Sequence, residues 1–258
     1  MAYGELKGKA LKWAAKQVFG IYPESMPESV VISPVKVEQC FKGFPKILAR
    51  NALTFGRIGN SYLVRKNDCR ALFCEGGTGA SNFADSSYVL CHCANVKEVL
   101  FVGTGGGIGE DVQTADVNIP PSCVRLDKVL EILLPPEAPA EADPTLNRKL
   151  KAIIEREASS LGIAVHNGIH ATVPFFLSET RKLLTDLQKR GVVSVDMELS
   201  VLYALANHYG KKAAGIIRIG DLPLKGLPTW KSRSCRLRLK EKVHTKIAEG
   251  IIQYLFTM

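Results

Sequence analysis

Short apolar runs alternate with amphipathic helical patterns along most of this chain. The runs are often apolar on both faces, as strands covered by helices on both sides of a sheet are. They lie at residues 29–34, 60–64, 71–74, 99–103, 162–165, 192–195 and 213–219. Helical patterns lie between several of them, at 81–94, 147–160, 178–189 and 198–209. This alternation predicts an α/β layer architecture.

The chain is predicted to form one domain. Its 258 residues exceed the roughly 100–200 residues of a common domain, but no convincing linker divides them. Residues 1–27 carry lysines at helical spacing and are expected to form a helical extension rather than a signal peptide. Residues 28–258 are expected to form the main domain. The proline-rich, acidic segment 134–144 is expected to be an exposed connector.

The net charge of +9 does not predict a nucleic-acid or membrane partner. The densest basic run lies at 231–242 and has no interleaved aromatic residues or groove-reading motif. It is expected to be a solvated loop leading into a basic helix face. No run of about 18 apolar residues could cross a bilayer. Part of the positive surplus could serve an anionic small substrate.

The seven cysteines show no spacing typical of a disulfide framework, which favours reduced thiols in the cytoplasm. The tight cluster Cys91-His92-Cys93 has no second ligand pair at the spacing of a zinc site. We therefore expect no metal.

Two glycine-rich stretches, 75–81 and 102–107, each follow an apolar run. Glycines at the end of a strand let backbone amides approach an anion, and a following helix N-terminus adds a favourable dipole. Tight turns without a ligand explain the same pattern equally well. Neither stretch has the spacing of a P-loop or of a dinucleotide-binding fingerprint.

Acidic residues occupy two strand ends. Asp196 and Glu198 lie where an apolar run passes into a helical pattern, so they could accept hydrogen bonds from neighbouring sugar hydroxyls or simply cap the helix. Asp221 ends the run 213–219, at the position where open α/β sheets bind ligands. A strand-end acid is a reasonable general acid.

Three motifs together resemble the nucleoside phosphorylase family, the superfamily of purine nucleoside and uridine phosphorylases. They are Ser-Val-Asp-Met-Glu at 194–198, Gly-Asp-Leu-Pro at 220–223 and Val-Gly-Thr-Gly-Gly at 102–106, and the likeness covers residues 28–255. The resemblance implies a three-layer α/β/α domain with a central mixed, partly barrel-like sheet. It also implies a homo-oligomer, of the dimer or hexamer-of-dimers type, without a cofactor other than inorganic phosphate as co-substrate.

The resemblance implies roles for individual residues at the nucleoside. Glu198 would bind the ribose 2′ and 3′ hydroxyls, with Met197 and Thr104 beside the sugar. Asp221 would protonate a purine at N7 as the glycosidic bond breaks. Phe175, in the segment 167–176 that resembles the family's base pocket, would stack on the base.

The resemblance also implies a phosphate site. Gly79 and Thr104 fall where the family binds phosphate, Lys36 lies in a shortened version of the family's early phosphate loop, and Arg50 resembles an arginine lent by a neighbouring subunit. The family's arginine before the Val-Gly-Thr turn is replaced by Phe101, which removes a phosphate donor. Arg218 could compensate, but strict strand alternation puts it on the face opposite Asp221. We expect a structural ion pair for Arg218.

The choice of base is open between two classes. Glu179 and Arg181 lie where uridine phosphorylases use a Gln-x-Arg pair on uracil, although an acid in the first turn of a helix explains Glu179 as well. Asp221 favours a purine.

The predicted activity is reversible phosphorolysis of a purine nucleoside to the free base and ribose 1-phosphate. The alternatives are uridine phosphorylase activity, a nucleosidase that uses water, and a non-catalytic nucleoside binder, because Phe101 removes the phosphate arginine.

Overall fold

Seven helices and eleven strands make up the part of the chain that the computed structural model describes, namely residues 6–41, 52–55, 58–226 and 234–256. The helices are α1 Gly8–Phe19, α2 Val37–Cys40, α3 Ala80–His92, α4 Pro144–Ser159, α5 Arg181–Lys189, α6 Leu199–His208 and α7 Ser234–Phe256. The strands are β1 Ser29–Ser33, β2 Ala52–Phe55, β3 Asn60–Lys66, β4 Cys69–Glu75, β5 Glu98–Gly107, β6 Val117–Asn118, β7 Cys123–Arg125, β8 Val165–His166, β9 Ile169–Thr172, β10 Val192–Asp196 and β11 Lys212–Asp221.

The strands form one mixed sheet in the order β2-β3-β4-β1-β5-β10-β9-β7, with β11 paired to β5 and β6, and β6 paired to β8. Neighbouring strands β4, β1, β5 and β11 are parallel, whereas β10 is antiparallel to β5. Helices pack against this sheet and against one another, as α3 with α6 and α4 with α7. The predicted single-domain, three-layer α/β fold is therefore confirmed.

Strand β5 is the branch point of the sheet. One of its edges pairs with β11 along nearly its whole length. Its other edge pairs with β1 through residues 98–101 and with β10 only at residues 106–107. The sheet thus divides between β1 and β10, and residues 102–105 of β5 lie at the division.

The glycine-rich stretch 102–107 is not the turn that its sequence suggested, because β5 continues through it to Gly107. The glycines are needed for close packing instead. A Cβ on Gly103 would overlap the Phe101 ring, and a Cβ on Gly105 would overlap the carbonyl oxygen of Val195 on β10. The stretch 75–81 is a turn as predicted, with Gly77 and Gly79 at φ +86° and +85° before α3.

Most predicted elements are present, with ends that shift by a few residues. The main exception is the run 162–165, where the strand begins only at Val165. The strands β2, β6, β7 and β9 were not predicted, because two to four residues carry too little periodicity to be recognised. The connector 134–144 is largely exposed as expected, but Ala140 and Ala142 are buried.

The N-terminal helix α1 packs into the same core as the rest of the chain. Its buried residues include Ala15 and Phe19, and its neighbour is α3. It ends at Gly20, whose φ of 72° is the left-handed conformation typical of a helix C-terminus. The predicted boundary at residue 27 stays a prediction.

Within the described ranges, no helix is long and apolar enough to span a membrane, and no group of three or more His, Cys, Asp or Glu side chains could hold a metal. Burial raises the pKa of the Cys91 and Cys93 thiols to about 12. Within the basic run 231–242, the expected helix is α7, which begins at Ser234. Most side chains of this run lie outside the described residues.

The fully buried hydroxyl of Tyr203 joins a loop to the sheet. It donates to the carbonyl of Pro120 at 2.9 Å and accepts from the amide of Gly215 on β11 at 2.8 Å. Gly215 is required there, because a Cβ would overlap the Leu199 side chain. The hydroxyl therefore satisfies two backbone groups that water does not reach.

Tyr203→Phe is expected to lower the free energy of unfolding by about 1–3 kcal/mol, because it leaves a buried donor and a buried acceptor unsatisfied. Urea denaturation would measure this loss. Tyr22→Phe, at a side chain that is 48% exposed, is the control and should change stability by less than about 0.5 kcal/mol. Equal stability of the two variants would contradict the role assigned to the Tyr203 hydroxyl.

Candidate active site

The C-terminal ends of four parallel strands bring polar residues to the division of the sheet. Ser33 at the end of β1 pairs in register with Glu75 at the end of β4. On the other side, Thr104 of β5 pairs with Arg218 of β11. Strand β10 reaches the same region from the opposite direction and ends at Asp196. Residues far apart in sequence therefore meet at one edge of the sheet.

Asp196 acts as the cap of α6. Its carboxylate accepts hydrogen bonds from the amides of Glu198 at 3.1 Å and Leu199 at 2.9 Å, and from the hydroxyl of Thr172 at 2.7 Å. The capping interpretation of this junction is thus correct for Asp196. These bonds hold a buried negative charge directly beside Glu198.

Glu198 makes no capping bond to its own helix. Its carboxyl accepts instead from the amide of Gly79 at 2.6 Å and, more weakly, from the amide of Met197 at 3.3 Å. Burial, and then the charge of Asp196, raise the pKa of Glu198 to about 8 against the effect of these two bonds. Without a ligand, Glu198 therefore keeps its proton to a higher pH than an exposed glutamate does, because only 3% of the residue is exposed.

Gly79, predicted at the phosphate, thus contacts the residue predicted at the sugar. Its amide is directed at Glu198 and not into open space. Met197 is half-buried next to Glu198. The structure therefore brings three predicted site residues together where the glycine turn before α3 meets the start of α6.

A buried polar network lies next to Asp196. His170 Nδ1 lies 2.7 Å from Ser194 Oγ, which also accepts from Asn118 Nδ2 at 2.8 Å. His170 Nε2 lies 3.0 Å from Asp196 Oδ1, at an angle outside that of a hydrogen bond. Apart from a histidine in the base-pocket segment, no sequence pattern predicts this arrangement, since its members come from three separate strands.

Glu179 lies close enough to Asp221 for the two carboxyl groups to interact electrostatically. Burial, and then the charges of Asp221 and Asp196, raise the pKa of Glu179 to about 7. The first-turn interpretation of Glu179 was wrong: α5 begins at Arg181 after the Thr180 cap, so Glu179 precedes the helix. Arg181 is exposed at the first position of α5.

The structural ion pair expected for Arg218 was also wrong. Arg218 forms no ion pair with a carboxylate of the described ranges; its Nη2 donates to Thr104 Oγ1 at 2.9 Å, and its Nε and Nη1 have no partner there. A bulge in β11 between Ile219 and Asp221 breaks the alternation assumed from the sequence. Asp221 consequently falls on the same face as Arg218. Burial lowers the pKa of Arg218 to about 10, against the raising effect of Cys40 and Asp221.

The loop after β1 lies beside the glycine turn. The carbonyl of Pro34 accepts from the hydroxyl of Thr78 at 3.0 Å, and the carbonyl of Ser33 accepts from the amide of Gly76 at 2.7 Å. Lys36 follows in this loop and is exposed. Arg50, the remaining residue predicted at the phosphate, lies outside the described residues.

The segment after β9 carries exposed aromatic side chains. Phe175 is 58% exposed, and Phe176 and Leu177 beside it are exposed as well. The segment is tied to the site at its start, where the amide of Val173 donates to the carbonyl of Asp196 at 2.8 Å. Phe175 is thus free to contact a flat ligand.

Comparison with known proteins places the chain in a family. The family model described as "Phosphorylase superfamily" matches residues 40–249. Purine nucleoside phosphorylase DeoD-type of Bacillus cereus (strain B4264) is 30% identical over 147 residues, which cover 56% of this chain and 61% of that protein. The corresponding protein of Bacillus cytotoxicus is 30% identical over 149 residues, with the same coverage. The match thus spans less than two thirds of the length of these relatives.

Solved structures share the whole fold. Uridine phosphorylase from Vibrio fischeri ES114 superimposes with a TM-score of 0.75 at 16% identity, covering 90% of this chain and 93% of that one. Purine nucleoside phosphorylase from Toxoplasma gondii, in complex with immucillin-H, gives 0.72 at 20% identity, with coverages of 89% and 92%. With a family match over most of its length, this chain belongs to the phosphorylase superfamily, as its three motifs predicted.

Proposed function

We propose that this protein is a nucleoside phosphorylase that acts on a purine nucleoside. An oxygen of inorganic phosphate attacks C1′ of the ribose, the bond from C1′ to the base nitrogen breaks, and the base leaves with a proton. The products are the free base and ribose 1-phosphate. The observation that carries the proposal is the buried Glu198 carboxyl, which is held by Gly79 and Met197 while Asp196 caps the helix.

Glu198 is suited to bind two neighbouring sugar hydroxyls. The residue is buried, so a hydrogen bond to it is made in a medium of low dielectric constant. Its two oxygens are held in a fixed orientation by backbone amides. Hydroxyl donors of a bound sugar would favour its ionised form, and bonds to a carboxylate are stronger than those between neutral groups. Met197, half-buried next to it, would pack against the sugar ring, and Thr104 would lie on its phosphate side.

Asp221 and Glu179 are suited to help the base depart. Two carboxyl groups that repel one another retain a proton at higher pH than either would alone. The raised pKa of Glu179, about 7, fits such a pair. Asp221 would deliver the proton to purine N7, and general-acid help of this kind is typically worth about 10²–10⁴-fold in rate.

The preference for a purine rests on Asp221 and on the purine nucleoside phosphorylases among the relatives. Phe175, exposed at the site, would stack on the base. Glu179 and Arg181 would contact its edge. Uracil is the second choice of base, which would make the protein a uridine phosphorylase.

Phosphate would be the co-substrate, bound by Lys36 and Thr104 and by Arg50 from a neighbouring subunit, next to the glycine turn at Gly79, whose own amide donates to Glu198. This arrangement requires a homo-oligomer, at least a dimer. We further propose that the protein works in the cytoplasm, without a metal, nucleic-acid or membrane partner; the buried cysteine thiols support a reducing compartment.

A panel of nucleosides assayed with and without phosphate tests the reaction and the base together. Inosine, adenosine, guanosine and uridine would be incubated with purified protein, and free base and ribose 1-phosphate measured. We expect a purine nucleoside to be cleaved only when phosphate is present. Equal cleavage without phosphate would show a nucleosidase, and cleavage of none would exclude the proposed activity.

Glu198→Gln is expected to raise the dissociation constant for the nucleoside at least about 100-fold. Two hydrogen bonds to a charged group are worth about 3 kcal/mol or more together, which corresponds to a factor of about 100. Isothermal titration calorimetry would measure binding. Glu131→Gln, at an exposed position, is the matched control and should bind as the wild type does.

The same variant also reports on the raised pKa of Glu198. The folded protein keeps this proton up to about pH 8, whereas the unfolded chain releases it near pH 4.5. The wild type therefore loses stability from this group as the pH rises through that range. Glu198→Gln should gain stability relative to the wild type between pH 5 and pH 8.5 in urea denaturation. A difference that does not change with pH would contradict the raised pKa.

Glu179→Gln is expected to move the alkaline limb of the kcat/KM profile to lower pH. The substitution removes the carboxyl whose pKa burial, and then the charges of Asp221 and Asp196, raise to about 7, so the acid pair keeps its shared proton only to a lower pH. Initial rates between pH 5 and pH 9 would measure the shift. Glu137→Gln, on the exposed connector, is the control. If the alkaline limb of Glu179→Gln were unchanged, Glu179 would have no part in proton transfer.

A further inference from the structure

We propose that Arg218 binds the phosphate co-substrate and supplies from β11 the guanidinium that the family pattern places at position 101. The identity of the anion rests on the proposed function. The anion-binding property of Arg218 rests on its own surroundings.

The first observation is that the guanidinium is buried and incompletely bonded. Arg218 is only 8% exposed, and two of its three nitrogens, Nε and Nη1, have no hydrogen-bond partner in the described part of the chain. A buried cation without a counter-charge is costly. An arginine retained under these conditions is most simply explained by a ligand that supplies the missing negative oxygens.

Among the described residues, no carboxylate forms an ion pair with the guanidinium. Thr104 offers a neutral hydroxyl, and Cys40 is a buried thiol whose raised pKa keeps it neutral. Asp221 is close enough to interact electrostatically but forms no ion pair with Arg218. The two unpartnered nitrogens thus remain available to an anion.

The second observation concerns Phe101. Its side chain is fully buried and packs edge-to-face on Phe83, with 5.4 Å between the ring centroids. Position 101 lies in the apolar core, three residues before Thr104 on β5. Across the β5–β11 pair, Phe101 faces Gly215, whereas Thr104 faces Arg218. The guanidinium of Arg218 therefore comes from the neighbouring strand β11, directly opposite the exposed Thr104.

The third observation is that Arg218 contacts one residue predicted at the phosphate and lies near the loop that carries another. Its Nη2 binds Thr104. Through Cys40, whose sulfur is 3.0 Å from the Ser33 hydroxyl, it adjoins the loop that carries Lys36. The bulge in β11 puts Asp221 on the same face. One strand would thereby provide both the anion ligand and the acid that protonates the base.

The test is direct binding of phosphate, and of sulfate as an unreactive analogue, in the absence of nucleoside. Arg218→Met is expected to weaken both about 10- to 100-fold in calorimetry, the range for charged hydrogen bonds of about 1.5–3 kcal/mol. The KM for phosphate should rise by a similar factor while the KM for the nucleoside stays within about twofold. Arg218→Lys, which keeps the charge without the planar fork, should be intermediate.

Stability provides a second readout. Because Arg218→Met removes a buried and unpaired charge, the variant without phosphate should melt at the same temperature as the wild type or higher. It should lose the rise in melting temperature that phosphate gives the wild type. Arg156→Met, at an exposed arginine, is the control and should behave as the wild type in every assay.

Three results would overturn the inference. The first is that the wild type binds neither phosphate nor sulfate. The second is that Arg218→Met binds them with wild-type affinity. The third is that the variant melts at a lower temperature yet retains its anion affinity. If both methionine and lysine variants failed to fold, Arg218 would be structural and the inference would be wrong. Loss of anion binding in a protein that cleaves no nucleoside would refute the proposed function alone, and phosphorolysis with an unchanged phosphate KM would refute only this inference.

Discussion

The division of the sheet at β5 determines where the candidate site is. A ten-residue strand pairs with β11 on one edge and with two diverging strands, β1 and β10, on the other. Because β1 and β10 separate, Thr104 is exposed between them, and the loop after β1 and the junction after β10 meet on either side. The packing requires glycine at positions 103 and 105, where any side chain would overlap a ring or a neighbouring backbone.

Asp196 and Glu198 are only two residues apart, but they have different roles because they accept hydrogen bonds from different groups. Asp196 accepts three hydrogen bonds from backbone and side-chain donors around it and stabilises the start of α6. Glu198 is thereby released from capping and directed toward Gly79. The charge of Asp196 then adds to burial in raising the pKa of Glu198. A structural carboxylate thus influences the protonation of the residue that we propose binds the sugar.

The positive charge that matters most for the proposed reaction is not visible in the net charge. The surplus of nine is spread over the chain, and Arg218 stands alone inside an otherwise apolar strand. Its significance comes from burial and from two nitrogens that have no partner among the described residues, which are properties of the folded molecule. In the motif alone, Phe101 means that the family's phosphate arginine is missing. In the folded protein, its side chain is part of the hydrophobic core.

The sequence by itself determined the fold class, the family and most helices and strands, because burial of apolar faces leaves a periodic pattern and the Asp-Met-Glu junction is specific. It also determined which residues to consider at the site. Only the tertiary structure decided which of them meet, since hydrogen bonds such as that between Gly79 and Glu198 join residues more than a hundred positions apart. It also decided that 102–107 is a strand, that Glu179 precedes its helix and that Arg218 shares a face with Asp221. These outcomes depend on close packing between strands and on the bulge of one extra residue in β11. Neither can be predicted from local periodicity.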